Sequence, residues 1–460
     1  MTIVSIGIFM ATTALSVVSI GLPAMTKAFH TDIGTSQWIM ICYLFTTSAL
    51  LLNFGKIGDL FGCSRVYNLG IVLFSIASAL CGISTSVHQL IVFRILQGVG
   101  GAMLVGTSTG LVVEVFPPDE RGKALGIYVF MVGVFLTIGP SFGGFLVQTF
   151  SWRFIFLVNV PLGILSMVMV ALFPFTSKRS RQVSIDFLGG AMLALFLLCF
   201  LLFLHFGQNQ GWSSSLVVFF LLAFLAFFFL FIVVELKKPE PMLDLKIFRN
   251  LVFTAAQASN FLNHLAVFAV TFIIPFYLVD ILNLSETQAG LIITPITLGM
   301  IVSPISGWLS DRIGTGIICV TGFTLICIGL FSLSTLDHNA STLGIMIRLS
   351  IVGVGRGIFS SPNNSVIMAS VRKDQYGIAG AMTANLRHLG SVSGVAITGA
   401  LFAHKKSSYL TEFVKTADMP FSVATEKAFM LAFHDALILA TFISALGVIA
   451  AAIRAKTSVN

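Results

Sequence analysis

Apolar runs of roughly twenty residues, separated by short gaps rich in polar residues, Gly and Pro, recur along the whole chain of 460 residues. Breaking the chain at those gaps gives fourteen runs, at about 2–25, 37–57, 66–86, 89–113, 123–147, 153–174, 187–207, 214–235, 251–281, 288–309, 315–334, 342–369, 378–403 and 431–453. One helical crossing of a bilayer needs about 20 apolar residues, and every run reaches that length. The pattern predicts an all-α polytopic membrane protein of about fourteen transmembrane helices. An even number returns both termini to one side.

Composition strengthens this reading. Hydrophobic residues make up 57% of the chain and charged residues 10%, against roughly 25% charged in soluble domains. Mean hydropathy is +0.99, more apolar surface than a soluble core of this length absorbs. The net charge of +8 would suggest nucleic-acid binding in a soluble protein. Here the cations sit in the short gaps, and no basic stretch with interleaved aromatics occurs, so nucleic acid is not an expected partner. Sorted by alternate gaps, sixteen Lys and Arg (among them Lys56, Arg65, Arg121, Lys178, Arg179, Arg181, Lys238, Arg312 and Lys373) fall with the C-terminal tail. Six (Lys27, Arg153, Lys405, Lys406, Lys415 and Lys427) fall on the other side, and four lie inside helices. The excess of cytoplasmic Lys and Arg in membrane proteins then predicts a multi-pass protein of the cell (inner) membrane with both termini cytoplasmic. The six cysteines form no C-x-x-C pair, and five lie in apolar runs, where Cys behaves as a small hydrophobe. No metal or cofactor site is expected, and without a nucleophile–base pair or phosphate loop neither is an enzyme.

An internal repeat organises the helices. Gly55-Lys-Ile-Gly-Asp59-Leu-Phe-Gly62 reads G-x-x-x-D-x-x-G, and Gly307-Trp-Leu-Ser-Asp311-Arg312-Ile-Gly314 repeats it 252 residues later. Arg94 has a counterpart in Arg348, 254 residues on. Both elements return on the same side, so the halves are expected to be parallel repeats about an axis along the membrane normal. This predicts a six-helix bundle over 1–175, a two-helix insert over 176–250 and a second six-helix bundle over 251–460. The insert's runs are mostly Phe, Leu and Val and suit lipid-facing or lid helices. In the repeated loop, Gly55 and Gly62 allow tight turns. Asp59 is expected near a helix N-terminus, with Arg65 as its ion-pair partner.

Gly55-x-x-x-Asp59-x-x-Gly62-x-x-Arg65 resembles the loop signature of the major facilitator superfamily, and Arg94-Ile-Leu-Gln97-Gly98-Val-Gly100-Gly101 resembles its fourth-helix signature. Ile138-Gly139-Pro140-Ser-Phe-Gly143-Gly144 resembles the fifth-helix signature associated with antiporters. Trp152-Arg153-Phe154-Ile-Phe156-x-x-Asn159-Val-Pro161-x-Gly163 is similar to the stretch that follows in the fourteen-helix drug:proton antiporter branch. The resemblance implies that family's fold, alternating access between two bundles, and multidrug-type efflux by antiport. It implies a gating role for Gly55, Asp59, Gly62 and Arg65 with Asp311 and Arg312, and a part in transport direction for Gly139, Pro140, Gly143 and Gly144. On physical grounds alone, Gly139-Pro140 removes a backbone donor and thins the helix, so that it can kink and admit a close neighbour. The small residue usual five positions before the Pro is Phe135 here.

One departure bears on mechanism. Aligned on Leu22-Pro23, the family's first-helix acid falls on Ala14 and its asparagine on Ser19. None of the 18 Asp and Glu lies mid-membrane in the first six predicted helices, so proton coupling needs another titrating group. On the ninth predicted helix, Gln257, Asn260, His264 and Thr271 share one face. Polar groups in the bilayer tend to face an aqueous cavity, and His titrates near neutrality. Interhelical hydrogen bonding is the competing reading for His264. Arg94 with Gln97 is read either as a coupling group or as a structural contact to backbone carbonyls. Asp280, Asn363 and Asn364, and Asn385, Arg387 and His388 add polar groups to the second half, and His434-Asp435 reads as the exposed start of the last helix.

The sequence thus implies a secondary active transporter that exports small drug- or metabolite-like compounds, with a central cavity lined by helices such as 1, 4, 9 and 12. Proton antiport would act through a non-standard coupling site. With Arg94 lacking an acidic neighbour, anionic or zwitterionic substrates are expected over lipophilic cations. The alternatives are a proton-independent uniporter or importer of a metabolite, and a non-transporting membrane sensor. The expected partners are a small-molecule substrate, protons and the lipid bilayer. A monomer is expected, and a periplasmic adaptor is left open.

Overall fold

A computed structural model describes residues 2–117, 120–172, 186–238, 245–372, 375–416 and 420–457. Lys178, Arg179, Arg181 and Lys373, used above for orientation, and the expected boundary at 175/176 lie outside the described residues. In chain order the helices are α1 (Thr2–Ala28), α2 (Ile33–Phe61), α3 (Cys63–Gly82), α4 (Val87–Val115), α5 (Arg121–Thr149), α6 (Phe154–Leu157), α7 (Asn159–Leu172), α8 (Phe187–Gln210) and α9 (Ser215–Lys237). They continue as α10 (Leu251–Phe276), α11 (Glu286–Ile293), α12 (Pro295–Leu298), α13 (Ser303–Ile313), α14 (Thr315–Leu333), α15 (Thr342–Ala369), α16 (Tyr376–Thr416) and α17 (Phe421–Thr457). Among the described residues, 13 helical stretches are long and apolar enough to cross a membrane, and α16 is a further helix of 41 residues. The protein is an all-helical multi-pass membrane protein, as the hydrophobic pattern predicts.

The chain forms two compact units. The first comprises Met1–Leu197, Ala226–Asp244 and Ser285–Gly290, and the second Leu198–Leu225, Leu245–Leu284 and Leu291–Asn460. The division runs through α8, α9 and α11. The outer surface of α9 exposes Phe219, Leu222 and Phe229, as a lipid-facing helix should. The insert is not featureless at its ends, however. Asp186 caps the first turn of α8 through the Gly189 amide (2.7 Å) and pairs with Lys238. Glu235 is buried beside Gly189, and Asn53 of α2 packs against Gly190.

The sequence repeat is also a repeat of geometry within each unit. Gly62, between α2 and α3, has φ 100° and ψ 123°, and Gly314, between α13 and α14, has φ 95° and ψ 137°. Only Gly adopts such a turn without strain. Gly70 of α3 lies against the backbone of α4 at Gly100, and Gly322 of α14 lies against α15 at Gly355 and Phe359. Small residues let helices approach to backbone contact where lipid supplies no hydrophobic drive between them.

Two expected breaks are redrawn. The gap over 404–430 is helical for most of its length, because α16 runs on to Thr416 and α17 begins at Phe421. At 1.5 Å per residue, α16 spans roughly 60 Å, about twice the hydrocarbon thickness. Its Lys405, Lys406 and Lys415 therefore mark a helix leaving the bilayer and not a loop. His434-Asp435 accordingly lies well inside α17: the His434 ring nitrogen meets the Leu336 carbonyl at 2.7 Å, and Asp435 accepts from Tyr409 (2.8 Å) beside Lys405. The run at 288–309 is also subdivided, into α11, α12, a 3-10 turn (Gly299–Val302) and α13. Pro295 and Pro304 remove backbone donors there.

Candidate functional site

Two arginine-centred clusters stand out, one in each unit. In the first, Arg94 of α4 is fully buried. Its Nε donates to the Ile39 carbonyl (2.9 Å), Nη1 to Gln97 Oε1 (2.6 Å) and Nη2 to the Ala14 carbonyl (3.2 Å). Gln97 Nε2 in turn donates to Ser78 Oγ of α3 (2.7 Å). The guanidinium carbon lies 4.2 Å from the centroid of the Tyr43 ring, and Tyr43 is fixed by a hydrogen bond to the Ala11 carbonyl. The plane of an Arg fork suits such combined stacking and hydrogen bonding. One buried guanidinium thus ties α1, α2 and α4 together, with α3 joined through Gln97. At Ala14, where the family acid would stand, the backbone carbonyl itself accepts the arginine.

In the second unit, Gln257, Asn260 and His264 of α10 face α16. Gln257 Nε2 donates to Thr383 Oγ1 (2.9 Å) and Asn260 Nδ2 to the Thr383 carbonyl (3.2 Å). His264 Nδ1 lies 3.0 Å from the Asn260 carbonyl, and its Nε2 lies 3.4 Å from Arg356 Nη2 of α15. An Nδ1 facing a carbonyl carries the proton, which leaves Nε2 as the acceptor for Arg356. Arg387 and His388 of α16 lie within electrostatic range of His264. Gly390 and Gly394 let α16 approach the backbone of α10 at Phe261 and Leu265, beside His264.

The structure gathers some of the sequence-singled residues and separates others. Arg94 with Gln97, and Gln257 with Asn260 and His264, are gathered. Thr271 bonds its own helix at the Val267 carbonyl (3.0 Å), about 10 Å along the axis from His264 by helical rise. Asn363 donates to the Ala256 carbonyl (3.1 Å) and so links α15 to α10. Asn364 is exposed and Asn385 is buried. Arg356, Thr383, Tyr43 and Ser78 were not singled out by the sequence. A second arginine in an apolar helix, eight positions after Arg348 and seven before Asn363, was the available signal for Arg356.

The glycine-bearing motifs act as packing devices. Asp59 stands in the last turn of α2, and Arg65 in the first turn of α3. Both are exposed and no ion pair joins them among the described residues. Gly55 lies against the Gly106 carbonyl of α4, and Gly307 against Ser361 of α15. Asp311 is exposed, while Arg312 sits over the Trp308 ring at 4.1 Å. On α5, a side chain at Gly139 would strike Ser16, and one at Gly143 would strike Val17, both on α1. Gly144 admits the Glu286 carbonyl and Gly290 admits that of Pro140, which seats α5 against the 285–290 segment of the same unit.

With these arrangements in place, comparison with known proteins identifies the architecture. The family model described as Major Facilitator Superfamily matches residues 4–395. The chain is 33% identical over 442 residues to a protein named riboflavin transporter RibZ of Clostridioides difficile, covering 93% of this chain and 94% of the relative. It is 29% identical over 378 residues to the multidrug transporter protein MdtP of Bacillus subtilis, covering 82% and 70%. It is 29% identical over 420 residues to a tetracenomycin C resistance and export protein of Streptomyces glaucescens, covering 91% and 78%. Among solved structures, a bacterial homolog of the human lysosomal transporter Spinster, inward-facing and unoccupied, superposes with a TM-score of 0.67 at 14% identity, covering 98% and 95%. That likeness speaks for the fold. The helical pattern, the repeated glycine turns and the family match agree, and the chain belongs to the Major Facilitator Superfamily, a family of membrane transporters and not of enzymes.

Proposed function

We propose that this secondary transporter exports small drug- or metabolite-like organic compounds across the cell membrane by alternating access, with proton coupling displaced from the first helix to the α10–α15–α16 cluster. The carrying observation is the His264 ring, with Nδ1 at the Asn260 carbonyl and Nε2 at Arg356 of a neighbouring helix. A proton added at Nε2 ends that acceptor role and sets two cations side by side, so protonation would exchange one helix–helix contact for its loss. A two-state contact that a proton biases is what coupling requires. Ala14 offers only a carbonyl, already used by Arg94. The relatives named for multidrug transport and tetracenomycin export support the outward direction.

The test is transport in proteoliposomes of purified protein, with a substrate library and an imposed proton gradient. Gradient-driven movement of at least one compound is expected, lost in His264→Ala while the variant stays folded. Movement indifferent to the gradient would leave a uniporter or importer of a metabolite. The missing first-helix acid and the relative named for riboflavin transport favour that second reading.

A further inference from the structure

The corner between α14 and α15, residues 334–341, is tied to its neighbours through a tyrosine and two histidines, all within the second unit. Tyr277, just past the end of α10, donates its hydroxyl to the Asp337 carbonyl (2.7 Å). His434 Nε2 of α17 lies 2.7 Å from the Leu336 carbonyl. His338, in the corner itself, places Nδ1 2.8 Å from Glu426 Oε1, also of α17. Beneath these ties the Tyr277 ring stacks on Phe433 with centroids 4.9 Å apart, and Phe433 adjoins His434. Leu336 is buried, while Asp337, His338 and Asn339 are exposed. The corner thus joins the ends of α10, α15 and α17, and the first two are the helices that His264 and Arg356 connect deeper in the unit.

The partners fix the tautomers. Carbonyl and carboxylate oxygens accept, so His434 carries a proton on Nε2 and His338 carries one on Nδ1. The other nitrogen of each ring is the one that takes a further proton, and that addition breaks neither bond. It turns a neutral donor into a charged one, which roughly doubles the strength of such a bond. At His338 the resulting cation also faces a carboxylate. Histidine changes charge between about pH 5 and 8. Both ties therefore tighten as pH falls through that range and relax as it rises. The His264 ring responds in the opposite sense, because there the nitrogen that would take the proton is the acceptor for Arg356.

Other charge around the corner does not reverse this sign. It comprises Asp337 in the corner, Asp280 beyond α10, Arg348 on α15, and Glu426, Lys427 and Asp435 on α17. Lys405 and Lys406 of α16 lie alongside α17, at Asp435 and Phe429, with His404 next to them in sequence. The α14 segment carries no charged residue. Acids and fixed cations are evenly matched in this set, so the direct contacts at the two imidazoles decide the response. By the distribution of Lys and Arg, the corner belongs to the face expected outside the cell.

We infer that the α14–α15 corner is a proton-fastened clasp: His338 through Glu426, and His434 through the Leu336 carbonyl, hold it to α17 more firmly in acid than in base. The clasp stands apart from the transport reading above. It makes the ends of α10 and α15 answer to protons through a second pair of groups, with a sign opposite to that of His264.

The experiment is hydrogen–deuterium exchange read by mass spectrometry on full-length protein in nanodiscs, at about pH 5.5 and about pH 7.5. Rates in peptides covering 334–341 are corrected for the intrinsic pH dependence of amide exchange. The native corner is expected to exchange about two- to fivefold more slowly at the lower pH. Tyr277→Phe should speed exchange by a similar factor at both pH values, since that tie does not titrate in this range. His338→Asn and His434→Gln set an amide nitrogen near the donor position of the ring replaced but cannot take the proton. Each should lower the pH dependence, and the two together should abolish it. Glu426→Gln should act like His338→Asn. Equal protection at both pH values in the native protein, or stronger protection at the higher one, would overturn the clasp. So would a pH dependence undiminished in the double His338→Asn, His434→Gln variant.

Discussion

Arg94 and Arg356 are both arginines in glycine-bearing apolar helices, yet their surroundings differ. Arg94 is sealed from solvent, bonded to the Ile39 and Ala14 carbonyls and to Gln97, and stacked on Tyr43. Arg356 is half-buried, has one weak nitrogen acceptor among the described residues and shares its surroundings with another guanidinium. The first is a structural rivet that closes four helices of one unit. The second joins α15 to α10 through a single contact to His264. Intramembrane charge alone therefore does not separate the two arginines; the acceptors engaged among the described residues do.

The comparison can be strained from either side. Arg94→Met should have the largest effect on stability. Three acceptors would lose their donor at a buried site, at about 1–3 kcal/mol for each group left unsatisfied. The expected result is a strong fall in the melting temperature and in the yield of folded protein. Arg94→Lys should rescue little, because an ammonium cannot reproduce the fork that reaches three acceptors and stacks on Tyr43. Gln97→Leu should cost less, about 2–4 kcal/mol for two lost hydrogen bonds, one from the charged Arg94 and one to Ser78, read as a smaller thermal shift. Thr383→Val in the other cluster should be mildest. Gln257 loses its hydroxyl partner while Asn260 keeps the backbone carbonyl, so about 1 kcal/mol is expected. A Thr383→Val shift larger than that of Gln97→Leu would mean that the second cluster is the more structural of the two.

Much of the fold was legible because the bilayer makes hydrophobic run length a direct measure of helix number, and because the repeat at Gly55 and Gly307 recurs with equal turns at Gly62 and Gly314. The helical course of 404–416 and 421–430 was hidden: charged residues read as loop when a membrane helix simply continues beyond the bilayer, as α16 does through Lys405 and Lys415. The face carrying Gln257, Asn260 and His264 was visible from spacing, since an α-helix places those positions in one row. Arg356 and Thr383 were not, because their meaning depends on which helices meet, and periodicity within one segment carries no such information. The satisfied state of Arg94 was equally invisible, since two of its partners are main-chain carbonyls that every sequence contains.

The proposal that coupling resides with His264 and its contact to Arg356, while Arg94 and Gln97 hold the bundle, has a direct test. Gradient-driven transport in proteoliposomes, normalised to folded protein, is measured for Arg356→Gln and Gln97→Leu together with their melting temperatures. The expected result is a crossed pattern: Arg356→Gln melts within a few degrees of the native protein but transports about tenfold or more slowly, while Gln97→Leu melts earlier and its folded fraction transports at the native rate. Native-rate transport by Arg356→Gln, or a transport loss in Gln97→Leu without any thermal shift, would contradict the account.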